Sequence, residues 1–170
     1  MIKPDLIENI QYEGKKYKVR WFDLVYRELP KLKWDQVYVI GDLRGLVPIV
    51  HYLDHHDNLP GGRVEATESI EQTLVREIDE ELKMKVISWK PLGYQEWIDV
   101  ETGNKGLGLR VYAKLSKEED FVNDPGGSVI GYSLVSLEEL NSYINYHEIG
   151  GRLVELVKKI KFSKTVDTHA

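Results

Sequence analysis

The amino-acid sequence predicts a mixed α/β fold, and three observations lead there. Runs rich in aromatic and β-branched residues, broken by Gly- and Asp-bearing turns, lie on both sides of one strongly periodic helix. Two further helical patterns close the chain. A sheet with helices before and after its strands buries both faces, so this order predicts a mixed sheet covered on both sides. At 170 residues the chain is expected to be a single domain over 1–170 with a proper hydrophobic core. It divides into an N-terminal hairpin extension over 1–34, a core over 35–160, and a tail over 163–170 expected to fray.

The extension reads as two short β-like runs, Ile10 to Glu13 and Lys16 to Phe22, joined at Gly14. Trp21, Phe22, Val25 and Tyr26 give it an aromatic face, which predicts packing on the main domain or a homodimer. Next, Val37 to Ile40 and Leu46 to Tyr52 are apolar runs around the turn-rich stretch Gly41-Asp42-Leu43-Arg44-Gly45, read as a hairpin connection. Asp54-His55-His56-Asp57 follows. Adjacent residues on a strand or loop point apart and the spacing of zinc ligands is missing, so this segment reads as a polar loop.

The helix is predicted over Ser69 to Leu82. Ile70, Leu74, Ile78 and Leu82 recur every fourth residue, with Val75 beside Leu74, as one apolar stripe. Ser69 with Gln72 three residues on is a capping-box start. Beyond it, Val86 to Ile98 and Leu107 to Leu115 read as strands around the loop Asp99 to Gly106. Trp89, Tyr94, Trp97 and Tyr112 are assigned to the core. Lys117 to Gly127 reads as a loop and Val129 to Val135 as a last strand. Ser136-Leu137-Glu138-Glu139 starts a short helix to about Ile144. Gly150-Gly151 precedes a final helix with Leu153, Val154, Leu156, Val157 and Ile160 buried and Lys158, Lys159 and Lys161 solvated.

Composition excludes several classes of function. No apolar run is long enough to span a membrane, and the N-terminus lacks the apolar core of a secretory signal. The absence of cysteine rules out disulfides and thiolate metal sites and fits a cytoplasmic protein. A formal charge of −5 argues against a general nucleic-acid binder. An anionic substrate therefore needs local help from a metal or a few cationic side chains.

Chemistry concentrates in the stretch Leu59 to Met84. On its helix Glu77, Glu80 and Glu81 fall on one side of a single turn, a spacing at which like charges repel. A hard divalent cation removes that conflict, because Mg²⁺ takes oxygen ligands. Gly61 and Gly62 let the preceding backbone turn tightly and approach a ligand. Glu68 precedes the helix, and Arg76, inside it, can orient carboxylates bidentately.

Gly62, five residues, Glu68, seven residues, then Arg76-Glu77-Ile78-Asp79-Glu80-Glu81 resembles the signature of the Nudix hydrolases, with Met84 as its final apolar position. Lys83 stands where that pattern has Gly and would close the helix in a left-handed conformation, at about 1 kcal/mol. The resemblance covers roughly Asp35 to Ile160. It implies an α/β/α sandwich and hydrolysis of a nucleoside diphosphate linked to some moiety X, a small-molecule partner. It implies Mg²⁺ or Mn²⁺ on Glu77, Glu80 and Glu81, with the Gly61 carbonyl beside them and Arg76 and Glu68 as the supporting pair.

The general base stays open among Glu96, Glu118, Glu119, Asp120, Asp124 and the signature glutamates themselves. Neither the proline nor the tyrosine that some family members place past the signature is found at that distance, so the resemblance leaves X undefined. The alternative is a non-catalytic sensor of a nucleotide metabolite. Such proteins commonly lose signature carboxylates, which this chain keeps. An isopentenyl diphosphate isomerase, whose fold is similar, needs a cysteine that the chain lacks.

Overall fold

A computed structural model describes residues 3–162; the tail expected to fray, 163–170, lies outside the described residues. In chain order the elements are β1 (Leu6–Tyr12), β2 (Lys15–Asp23), β3 (Gln36–Asp42), β4 (Val47–Tyr52), β5 (Asp57–Asn58), β6 (Gly61–Arg63), α1 (Ile70–Leu82), β7 (Met84–Asp99), β8 (Lys105–Lys117), β9 (Val129–Val135), α2 (Leu140–Tyr143) and α3 (His147–Phe162). A six-stranded sheet runs β1-β2-β7-β8-β3-β6, and a second, three-stranded sheet runs β5-β4-β9. Within the larger sheet β3 and β8 are parallel, while its other pairs are antiparallel.

Two cores flank the larger sheet, because successive side chains of a strand point to opposite faces. Val37 and Val39 of β3 and Leu109 and Val111 of β8 pack with Leu74, Ile78 and Leu82 of α1. Ile40 and Tyr112, from the alternate positions, pack with Leu153, Leu156, Val157 and Ile160 of α3. The result is the α/β/α sandwich expected.

The N-terminal hairpin starts earlier than its sequence pattern, at Leu6, and turns at Glu13 and Gly14. Both turn residues have positive φ, +48° and +77°, as a two-residue turn matched to strand twist requires. β2 pairs with β7 along seven residues, from Tyr17–Asp99 to Asp23–Gly93, and so adds two strands to the main sheet. Trp21 is fully buried, and Phe22 stacks on Tyr94 with ring centroids 4.6 Å apart. The aromatic face that suggested docking is therefore covered within the chain, except for Tyr26, which is exposed.

Three further expectations need correcting. The turn at Arg44-Gly45 forms, with both φ values positive, but pairing stops at Leu43–Leu46. From there β3 and β4 diverge into different sheets rather than continuing as a hairpin. Val75 is exposed and lies outside the apolar stripe of α1, since a position next to Leu74 is turned about 100° from it. Gly150 and Gly151 sit inside α3 rather than before it, and a Cβ on Gly150 would stand 1.9 Å from Asn141 Oδ1. The short helix expected after Ser136 forms, its first turn 3-10 over Leu137–Glu139, ahead of α2. None of the described helices is long and apolar enough to cross a membrane.

The hairpin's grip on the core is testable at Gly93, on β7. A Cβ there would lie 2.3 Å from Trp21 Cζ2 and 2.6 Å from the Phe22 carbonyl oxygen. Gly93→Ala is expected to overpack this contact at a cost of about 1–3 kcal/mol, which thermal unfolding reads as a loss of roughly 2–10 °C. An unchanged melting temperature would show that the strand β2 is not clamped as described.

Candidate active site

The site is built on α1 and on the loop that enters it. Ser69 caps the helix: its hydroxyl accepts from the Gln72 N–H, and the Gln72 side chain accepts from the Ser69 N–H. The capping box thus fixes where the first turn begins and sets the angular position of every later residue. At the other end Lys83 takes the left-handed conformation, φ +54° and ψ +44°, and its N–H reaches the Asp79 carbonyl. The non-glycine closure expected there is made.

Arg76 lies at the centre. Its Nε and Nη2 donate to the two oxygens of Glu68, at 2.7 and 2.9 Å, a fork that only a guanidinium can form. Its Nη1 donates to Glu77 at 2.8 Å and to Glu80 at 3.3 Å. A further bond from Nη2 to the Arg63 carbonyl, 3.2 Å, ties the helix to the entering loop. Thr73 donates to Glu68 as well. The guanidinium, followed by these bonds, holds the Glu68 carboxyl down at about 2.

Glu81 stands apart from that cluster. It is 5% exposed and accepts from the Gly61 N–H at 2.8 Å and the Tyr52 hydroxyl at 3.2 Å. Burial, only partly offset by the Gly61 bond and reinforced by the charge of Glu77, pushes its carboxyl up to about 8. Burial also raises Glu77, against the pull of Arg76. Like-charge crowding on one helical turn, seen in the sequence as a spacing, is here a desolvation problem that a single arginine answers only in part.

The two glycines are required sterically. Gly61 has φ +136°, and a Cβ on it would meet the Val37 carbonyl oxygen at 2.2 Å. A Cβ on Gly62 would lie 2.4 Å from Glu77 Oε1. The loop is thus pressed on one side against β3 and on the other against the carboxylate of Glu77. This cradle, with its all-oxygen donor set, suits a hard divalent ion. Among the described residues, no three carboxylate or imidazole groups stand close enough to hold an ion as they lie. Arg76 accounts for this, drawing Glu77 and Glu80 to itself while Glu81 turns to Gly61.

The five outlying acids are placed as follows. Glu96 pairs with Arg20 across β2 and β7. Glu118 pairs with Lys85, Asp120 with Lys117, and Glu119 is exposed. Asp124 is buried, but accepts from the backbone of Gly126, Ser128 and Val129 and from the Ser128 hydroxyl, which together hold its carboxyl below the usual range. The polar loop contributes by stacking: the His56 ring lies on Tyr52, centroids 4.4 Å apart, while its Nδ1 meets Asp54.

Sequence reasoning missed Tyr38, Tyr52 and Arg110. Arg110 carried a signal, being the one charge in an apolar strand run, Leu107-Gly-Leu-Arg-Val-Tyr-Ala. The tyrosines carried none, since an aromatic residue on a strand reads as core.

Over residues 37–157 the chain matches a family model described as "NUDIX domain". No curated protein matches it. Among solved structures, the fold is similar to the pyrophosphohydrolase BsRppH of Bacillus subtilis, 20% identical, with 89% of this chain and 96% of that one covered and a TM-score of 0.69. It is similar to a NUDIX hydrolase from Nitrosomonas europaea at 18% identity, covering 75% and 90%, TM-score 0.60. A MutT NUDIX hydrolase from Burkholderia pseudomallei is 21% identical over 72% of this chain and 95% of that one, TM-score 0.56.

Burial of Glu81 makes a prediction about pH. The folded protein holds a proton on this carboxyl up to about 8, whereas the unfolded chain releases it near the ordinary 4.5. Folded chains then bind more protons than unfolded ones between these values, so metal-free stability is full below the lower one and falls as pH rises toward the upper. Glu77, also raised, acts in the same direction. In EDTA, the melting temperature is expected to fall from pH 5 to 8.5, and Glu81→Gln to flatten that fall. An equal fall in the variant would remove Glu81 as its source.

Proposed function

The chain belongs to the Nudix family of pyrophosphohydrolases, which act on phosphoric anhydrides, and from that premise we propose that it cleaves the diphosphate linkage of a nucleoside diphosphate joined to a moiety X, with Mg²⁺ or Mn²⁺. One observation carries the reading: Glu77 and Glu80 meet at the guanidinium of Arg76, and Glu81 is turned to Gly61 of the same loop.

Glu77, Glu80 and Glu81 would hold the divalent ion, with the Gly61 carbonyl beside them. The ion, when bound, neutralises diphosphate oxygens and orients water. The rest falls to the chain itself. Arg76 and Glu68 fix the carboxylates in place, and a loosened pair would cost alignment rather than affinity. Tyr52 and the Gly61 N–H hold Glu81 in one orientation. For the general base, the signature glutamates are favoured over the outlying acids. Four of those are already paired or saturated, and Glu119 lies exposed. A signature glutamate left free by the ion would take the proton of the attacking water. The absence of cysteine fits a reducing, cytoplasmic setting.

A sensor would bind the nucleotide without needing these charges in the transition state. Glu80→Gln is therefore expected to lower kcat by about three powers of ten or more, because it removes charge stabilisation worth several kcal/mol. Arg76→Ala is expected to lower kcat less and to leave KM within about threefold. Chelation should abolish turnover, and added Mg²⁺ or Mn²⁺ restore it. If Glu80→Gln kept more than about a tenth of wild-type kcat, the sensor reading would replace this one.

A further inference from the structure

The strongest feature outside the carboxylate site is Arg110. It is 4% exposed, on β8, and no carboxylate among the described residues pairs with it. Its guanidinium lies between two rings, 4.7 Å from the centroid of Tyr38 and 5.4 Å from that of Tyr146. Nη1 donates to the Leu109 carbonyl at 3.3 Å, while the buried Nε–H has no acceptor. Gly108 makes room for it, since a Cβ there would stand 3.0 Å from Nη1. Burying an arginine is unfavourable unless it is paired, and packing between aromatic faces compensates only part of that. No carboxylate among the described residues neutralises its charge.

Arg110 lines a cavity of about 200 Å³ beneath the N-terminal hairpin, with Ile10, Gln11, Gln95, Asn145 and Tyr146 among its walls. The first turn of α3 opens onto the same cavity at His147 and Ile149, and the N-terminus of a helix favours an anion. Glu8 uses part of that capacity, accepting from the Ile149 N–H at 3.1 Å. Arg110 keeps the rest.

The strand register places this cavity relative to the carboxylates. Tyr38 of β3 is the direct partner of Arg110 on one side and of Gly61 on the other. Arg110, Tyr38 and Gly61 thus form one line across the sheet, and Gly61 is the residue that binds Glu81. Adjacent strands are about 4.8 Å apart, so the line spans roughly 10 Å from backbone to backbone. Tyr38, between them, feels Arg110 on one side and Glu81 and Glu77 on the other.

We propose that Arg110 heads an anion subsite that seats a phosphate group carried by X, about 10 Å along the sheet from Gly61. The substrates would then be nucleoside diphosphate derivatives whose X bears its own phosphate. This rests on the hydrolase reading, because only a substrate lying along the line from Gly61 to Arg110 reaches both. A fixed guanidinium edge recognises phosphate oxygens with charge-assisted bonds, and the cavity is small for anything beyond such a group and its attachment.

Binding and turnover test it separately. Pyrophosphate without metal, titrated by calorimetry, is expected to bind wild type and to lose tenfold or more affinity in Arg110→Met. Glu8→Gln keeps the acceptor for Ile149 and removes a negative charge from the cavity, so it should tighten binding severalfold. That variant keeps the test alive if Arg110→Met fails to fold. With turned-over substrates, Arg110→Lys should raise KM at least tenfold where X ends in a phosphate, and less than twofold where X is neutral. Unchanged pyrophosphate affinity in both Arg110→Met and Glu8→Gln overturns the subsite. Pyrophosphate binding lost in Arg110→Met, but with KM moved equally for both kinds of X, overturns its assignment to X and leaves a free-phosphate site. Absence of turnover with any substrate, with this binding pattern intact, would refute the hydrolase reading while retaining an anion site.

Discussion

One guanidinium carries the arrangement. Glu68, Glu77 and Glu80 all bond to Arg76, and without it three carboxylates would face each other across little more than a helical turn. The fold supplies the energy for that crowding from elsewhere, through an apolar stripe of Leu74, Ile78 and Leu82 that is fully buried against the sheet. Burying that stripe fixes the helix in rotation, and the acidic side is then held against Gly61 and Gly62 whether or not its charges favour it. A helix chosen for stability alone would not place Glu77 and Glu81 one turn apart at under 10% exposure. On the proposed reading, a divalent ion would relieve this conflict between packing and charge.

The sheet then gives the site its length. Arg110, Tyr38 and Gly61 stand in register on three neighbouring strands, so no flexible segment sets the distance between the lone arginine and the carboxylates. The N-terminal hairpin roofs the Arg110 cavity and at the same time extends the sheet through β2. Trp21 and Phe22 tie that roof down, and Trp21 sits tightly against Gly93. Substrate specificity, on this account, belongs to the strands and the hairpin, while the chemistry belongs to one helix and its loop.

Much of the site was legible in the sequence because its parts are local. Ser69 with Gln72 marks the cap, the fourfold spacing marks the stripe, and Gly62, Glu68 and Arg76 to Glu81 lie within twenty residues of each other. Local hydrogen bonds and helical periodicity connect them, and both can be read along the chain. What was missed is non-local. That β3 pairs in parallel with β8, bringing Tyr38 to Arg110, follows from strand order, which no periodicity encodes. The divergence of β3 and β4 into two sheets was hidden for a similar reason: their turn has the chemistry of a hairpin, and only tertiary packing separates them beyond Leu43 and Leu46. Val75 was misplaced because an apolar residue beside a stripe looks like part of it until the helix is seated.

The central claim is that these carboxylates take a divalent ion, and calorimetric titration of Mn²⁺ in buffers of different ionisation enthalpy tests it most directly. Glu81 holds its proton up to about 8 in the metal-free protein, and a ligand carboxylate must be ionised to bind. Binding at pH 6.5 should therefore release protons, and binding at pH 9.5 almost none, with affinity lost in Glu80→Gln and Glu81→Gln. Binding with no proton release at pH 6.5, or with equal affinity in both variants, would contradict the account.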